Sequence, residues 1–347
     1  MISTGTAVAP GAEATQVPRS GVVLIRAIAA VLVLHGFLVG LWTTQHDIRL
    51  GYLDAVRHVL NRPLGIGEDF GVFAVMLLLT TGGYLAQLDR APLRWQLVRG
   101  YLPVGVSSVL ATIVAALGAQ IWTVPLAPMT DVLAAAGNVT LVSHLVNEVQ
   151  LLVPLAWFVL LLLAGTAAAA VINEYRGLAM LVVPLGQIVL SAAVVAIAPD
   201  SRLAGVIVFF PLVAVGQLIA LAQRAGLKTG FVVASGFLSV FVMVMLQTLK
   251  PEFARWWYPV PAVFTMLLVG LGVVFSGDLA ARLTGLRVVR WLSDHAVWLA
   301  LLQGVVGYAV LDVLGGFLPV GVALVVAVVA TGAVASACHR LVRRVPA

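Results

Sequence analysis

Two polar side chains stand in the otherwise apolar run of residues 21–42, GVVLIRAIAAVLVLHGFLVGLW: Arg26 and His35. An imidazole titrates near working pH and can serve as a general base. A guanidinium presents a planar fork suited to a phosphate or a polarised carbonyl oxygen. At membrane depth an arginine costs roughly 2.5–3.5 kcal/mol on insertion scales, so a chain that keeps one usually has a partner or a task for it. Two plainer roles stay open. Arg26, close to the start of the run, can snorkel to the headgroups, and His35 can be a structural hydrogen-bonding residue.

Other groups capable of chemistry are few. His144 and Glu148 stand at i, i+4, the spacing of one helix face; they suit an acid/base pair, and a solvated helix cap more readily. Asp69 opens a second apolar run, Gln303 sits inside a late one, and Asp294-His295 reads as a solvent-facing loop before it. Nothing around Cys338, the single cysteine, suggests a metal site, and an internal disulfide is excluded. The sequence has no P-loop, no HExxH helix and no GxSxG elbow.

The elements that must position these residues are membrane helices. Of 347 residues 62% are hydrophobic and 10% charged, with mean hydropathy +1.10. A soluble protein carries roughly 25% charged residues, so an all-α integral membrane protein is expected. About 20 apolar residues cross the hydrocarbon core. Runs of that kind fall near 21–42, 69–87, 101–121, 148–174, 176–200, 202–224, 228–250, 255–278, 295–313 and 317–338, giving about ten transmembrane helices. A polar stretch, LDAVRHVLNRPLGIG, follows the first run and suits a short interfacial helix ended by Pro63.

Residues 1–20 read as a flexible N-terminal tail without the basic n-region of a signal peptide, and 21–344 as one transmembrane domain. With the N-terminus inside, fourteen basic residues fall in cytoplasmic segments and six outside, so both termini are expected in the cytoplasm. The net charge of +6 is explained by those loops and implies no nucleic-acid partner. No internal repeat marks an inverted-repeat transporter.

Six pieces in order resemble the acyltransferase 3 family of multispanning bacterial membrane proteins. LIRAIAAVLVLHGF is similar to its opening helix, in which an Arg precedes a catalytic His. RPLGIGEDFGVFAVMLLLTTGGYLAQ resembles its second helix, with Asp69 at an acidic position. Arg99-Gly100-Tyr101-Leu102-Pro103 resembles the Arg-Ile-Tyr-Pro entering the third, and Asn138-Val139-Thr140-Leu141 the Asn-Leu-Thr-Leu before the fourth. VVRWLSDHAVWLALLQGVVGYAVLD resembles a late helix that ends in His, where this chain has Gln303. The ending His339-Arg340-Leu341-Val342-Arg343-Arg344 is close to His-Arg-x-x-Glu-x-Pro.

The resemblance implies O-acyl transfer from a cytoplasmic acyl-CoA to a hydroxyl of a cell-envelope glycan or lipid, in the bacterial plasma membrane. His35 and Arg26 would then be catalytic, Arg94 and Arg99 would bind the acyl donor, and Asp69, His144, Glu148 and Gln303 are secondary candidates. No bound cofactor and no metal are implied, and acyl-CoA is the expected co-substrate.

The departures fall on polar positions. The family interval from Arg to His is eleven residues, which keeps both side chains on one face. Here it is nine, about 900° of helix, which sets Arg26 and His35 on opposite faces unless the helix is deformed. The second helix has Gly82-Gly83-Tyr84 in place of Ser-Gly-Phe/Tyr, and the fourth lacks its carboxylate. A family member without catalysis, acting as a scaffold, regulator or glycolipid-handling subunit with a membrane-protein partner, is the alternative. A secondary transporter is a poorer third.

Overall fold

The computed structural model describes residues 20–67, 69–119, 121–122, 132–145, 151–175, 177–250, 258–274 and 277–343. Every regular element among them is helical. In chain order the main helices are α1 (Ser20–Gln45), α2 (Gly51–Val56), α3 (Gly71–Leu88), α4 (Leu93–Ala116) and α5 (Val132–Val139). They continue with α6 (Pro154–Ile172), α7 (Ala179–Ile197), α8 (Arg202–Arg224), α9 (Thr229–Leu249) and α10 (Pro259–Val274). The last three are α11 (Asp278–Gly285), α12 (Arg287–Leu314) and α13 (Val320–Arg343).

Among the described residues, nine of these helices are long and apolar enough to cross a membrane. The pair α10 and α11 meets the same test jointly across a 97° bend, and counting it as one span gives ten. The chain is an all-helical, multi-pass membrane protein. Of the expected tail, residues 1–20, Ser20 already begins α1, and residues 1–19 lie outside the described residues, as does Glu148.

Two helices form the centre. In the most apolar stretch of α8, 89% of residues are buried, and in α3 78%, against 28% in α4 and α13, whose faces are left to lipid. Glycine makes the central crossing possible. A Cβ on Gly216 would lie 2.0 Å from the Thr80 carbonyl oxygen, and one on Gly83 would lie 2.2 Å from that of Val213. Lipid tails are as apolar as leucine, so membrane helices associate through close packing of this kind and through polar contacts. Such contacts tie these helices to each other and to α6 and α7. Gln217 Nε2 donates to the Gly165 carbonyl (2.8 Å), Gln187 Nε2 to Gln217 Oε1 (2.9 Å), and Tyr84 OH to Gln223 Oε1 (2.7 Å).

The third span starts earlier than its charge-free stretch. The chain turns at Pro92, whose fixed φ suits a helix start and whose carbonyl accepts from the amides of Trp95 and Gln96. Arg94 and Arg99 therefore lie on α4 rather than in a loop. Likewise Asp294-His295, expected in a loop, belongs to α12.

Candidate functional site

Among the described residues, two polar regions with cleft-lining charges lie toward opposite ends of α1. The Ser20 end is where α1 begins; the Gln45 end is where it finishes.

At the Gln45 end, Arg57 Nη2 lies 3.2 Å from Asp69 Oδ1 and donates to Thr44 Oγ1 at 3.0 Å. The Asp69 carboxylate rests on α1 because position 40 is glycine: a Cβ there would come within 2.6 Å of Asp69 Oδ1. His35 stands within electrostatic reach of Asp69 and Arg57, with its ring 6.2 Å from Tyr52 and 6.0 Å from Phe70. Its buried Nδ1 has no hydrogen-bond partner among the described residues. Above Arg57 opens a polar cleft of about 630 Å³, lined by Thr43, Thr44, Asp47, Asp54 and Arg57 among others.

At the Ser20 end, a cleft of about 410 Å³ lies between α4, α6, α12 and α13. Its polar lining is Arg99, Thr166, Asp294 and His339, and its walls are Pro103, Val159, Leu162, Val297 and Trp298 among others. Arg26 faces Asp294 electrostatically from α1. Behind His339 stands a fixed layer. His295 Nδ1 lies 2.7 Å from the Trp291 carbonyl, which can only accept, so that nitrogen carries the proton. The indole of Trp291 stacks on the His295 ring at 4.8 Å and donates to Ser336 Oγ at 3.0 Å. The His295 ring meets His339 at 4.4 Å between centroids.

The two ends do not merge. Arg26 and His35 are about 13 Å apart along the axis at 1.5 Å per residue. Between them Ala27, Ala29, Ala30 and Val33 are buried. The nine-residue interval keeps its consequence: Arg26 turns to α12, and His35 turns to the start of α3. α1 is deformed, by a π-helical stretch at Leu34–Leu41. That stretch begins only one residue before His35, too late to rotate the histidine back.

The deformation serves packing instead. Gly36 admits the backbone of α3, since a Cβ there would lie 2.3 Å from the Gly71 nitrogen. A second π segment, Gln303–Gly307 in α12, faces the first, and Tyr308 OH donates to the Phe37 carbonyl at 2.8 Å. Widened turns of this kind leave carbonyls accessible to outside donors. The Gly304 carbonyl accepts from the Trp122 amide at 2.8 Å, and the Trp122 indole occupies the space a Cβ on Gly304 would need. Trp122 has φ of 44°, a rare conformation for a bulky side chain.

Of the remaining candidates, Arg94 is exposed, its guanidinium 5.5 Å from the Trp95 ring, and it does not line the cleft. Gln303 is fully buried in its π segment, with Nε2 3.4 Å from the Ala300 carbonyl, away from the cleft. His144 is a correction to the solvated cap: it sits in a 3-10 turn, Val142–His144, and is 1% exposed. Burial first, and Arg202 second, lower its pKa to about 4. Arg202 donates to the adjoining Ser143 carbonyl, which holds that charge beside the ring.

Sequence reasoning missed His339 and Asp294 as site residues. The only signal was periodic: Asp294 and Trp298 are i, i+4 on one helix face. Compared with family models, with curated proteins and with solved structures, the chain matches none.

Proposed function

We propose that the protein is a membrane acyltransferase of the bacterial plasma membrane. It takes an anionic activated acyl donor, acyl-CoA, into the Ser20-end cleft and transfers the acyl group to a hydroxyl of an envelope glycan or lipid. One observation carries the reading: a guanidinium (Arg99), a carboxylate (Asp294) and an imidazole (His339) line a single cleft with apolar walls. Sites for small molecules have this composition, a mostly apolar lining with a few convergent polar groups, and this size. Arg99 suits a phosphate or the oxyanion of acyl transfer, since a positioned cation there stabilises charge as it develops. With both termini cytoplasmic, as the basic residues favour, the cleft opens to the compartment that supplies acyl-CoA.

The buried alanines and Val33 between Arg26 and His35 support the second reading, a family-like scaffold without catalysis, if chemistry requires those two residues together. Turnover of radiolabelled acetyl-CoA by the purified protein in lipid nanodiscs, with crude envelope glycolipids as acceptors, separates the two. The acyltransferase reading expects transfer of label that falls at least tenfold in Arg99→Ala. Absence of transfer across a range of acyl chains would leave the scaffold reading.

A further inference from the structure

The geometry points to His339, not His35, as the general base of this transfer, with His295 as the residue that positions it; the inference rests on the acyltransferase reading above. Three observations lead to it. First, His339 lines the same cleft as Arg99 and Asp294, whereas His35 lies about 13 Å along α1 beyond a packed apolar layer. A base must come within hydrogen-bond reach of the proton it removes.

Second, the alternatives within the cleft are poorer. Arg99 has no acceptor capacity, and Thr166 Oγ1 already donates to the Leu162 carbonyl at 2.8 Å. Asp294 faces the Arg26 charge, and a carboxylate is intrinsically a weak base at neutral pH. An imidazole has the proton affinity the step needs.

Third, His339 is backed by a hydrogen-bonded layer. His295 is fixed through its own Nδ1–H on the Trp291 carbonyl, Trp291 is fixed through Ser336, and the His295 ring lies against His339. Precise sites hold their acting groups through such a second set of contacts.

In the step itself, an acceptor hydroxyl gives its proton to His339 while its oxygen attacks the thioester carbonyl carbon. The new C–O bond forms, and negative charge gathers on the carbonyl oxygen beside Arg99. Collapse of that intermediate breaks the C–S bond, and the thiolate takes the proton back from His339. The products are an ester and free thiol, with no net proton or electron exchanged. Donor and acceptor therefore both enter from the Ser20 end.

The test uses the full chain in nanodiscs with acetyl-CoA. His339→Gln and His339→Ala should lower kcat by about a hundredfold or more, the usual share of a general base, with KM changed less than about threefold. His35→Ala should leave both constants within about threefold. His295→Ala should lower kcat about tenfold at unchanged KM and displace the acid limb of the pH–rate profile, which mere loosening of the helix would not move. A second measurement on the unmodified protein does not depend on variants folding: acetyl-CoA should protect His339 from diethyl pyrocarbonate, mapped by mass spectrometry, and leave His46 and His58 reactive.

Full activity in both His339 variants, or collapse of activity in His35→Ala alone, would overturn the assignment while leaving the acyltransferase reading in place. Transfer that is absent in the parent, with no protection of His339, would remove both.

Discussion

The two ends of α1 hold the same kinds of residue and put them to different use. At the Ser20 end, Arg26 and Asp294 belong to helices far apart in the sequence, and Asp294 lines a cleft with mostly apolar walls. At the Gln45 end, Arg57 and Asp69 come from neighbouring segments, bond at 3.2 Å, and are backed by Thr44. A carboxylate–guanidinium pair with both partners closely engaged is chiefly a fastening. Arg57 lines a polar cleft as well, so what separates the two ends is the apolar wall beside Asp294, the composition of a small-molecule site. Arg–Asp proximity alone therefore says little about function; what the pair borders says more.

The comparison can be broken at its common support. Gly216→Leu would push a side chain into the Thr80 carbonyl, separate α3 from α8, and leave little monodisperse protein on size exclusion; this is the largest effect expected. Next comes turnover. Arg99→Ala should cost at least tenfold in acyl transfer and Arg57→Ala less than about threefold, measured side by side with labelled acetyl-CoA. Equal losses would mean that both ends serve the reaction.

Charge removal sharpens the contrast further. Asp294 is exposed and acts on Arg26 through its charge, so Asp294→Asn should cost less than about 1 kcal/mol. Asp69→Asn should cost about 1–2 kcal/mol, because the Arg57–Asp69 pair is only partly buried and Thr44 keeps an acceptor near Arg57. Thermal unfolding in nanodiscs reports both. A larger loss at Asp294 would reverse the ranking of the two ends.

A further effect is confined to acid pH and concerns His144. Its folded pKa of about 4 lies below the ordinary 6.5, so the folded ring stays neutral while the unfolded chain takes up a proton. Stability therefore declines as pH falls from about 6.5 to 4 and loses nothing more from this group below that, at most about 3 kcal/mol. His144→Asn should flatten that part of the stability–pH curve, read from melting temperatures at stepped pH.

Much of the fold was legible. Nine expected spans coincide with observed spanning helices; the run near 255–278 coincides with α10, which meets the length test only together with α11 beyond the bend. The end positions were less so: charge-free runs understate α4, because a helix that continues past the membrane surface can carry Arg94 and Arg99 there. Within the candidate site, the nine-residue interval predicted that Arg26 and His35 diverge on a regular helix. Whether a deformation would bring them together was left to the structure, which places the π-helical stretch too late to do so. His339, assigned by resemblance only to a terminal motif, could not be placed beside Asp294 from the sequence.

What the sequence determined by itself is therefore the apolar character and approximate placement of the helices, and the phase of each polar residue on a regular helix. These follow because a segment in lipid must satisfy its backbone internally and must be about 20 apolar residues long. Only the tertiary structure decided which faces meet: that Gly83 and Gly216 bring α3 and α8 into contact, that Arg26 finds Asp294 and His35 finds Asp69, and that α4, α6, α12 and α13 leave a cleft between them. The reason is that phase gives the direction in which a side chain leaves its helix, while the neighbour it meets depends on how all the helices pack at once.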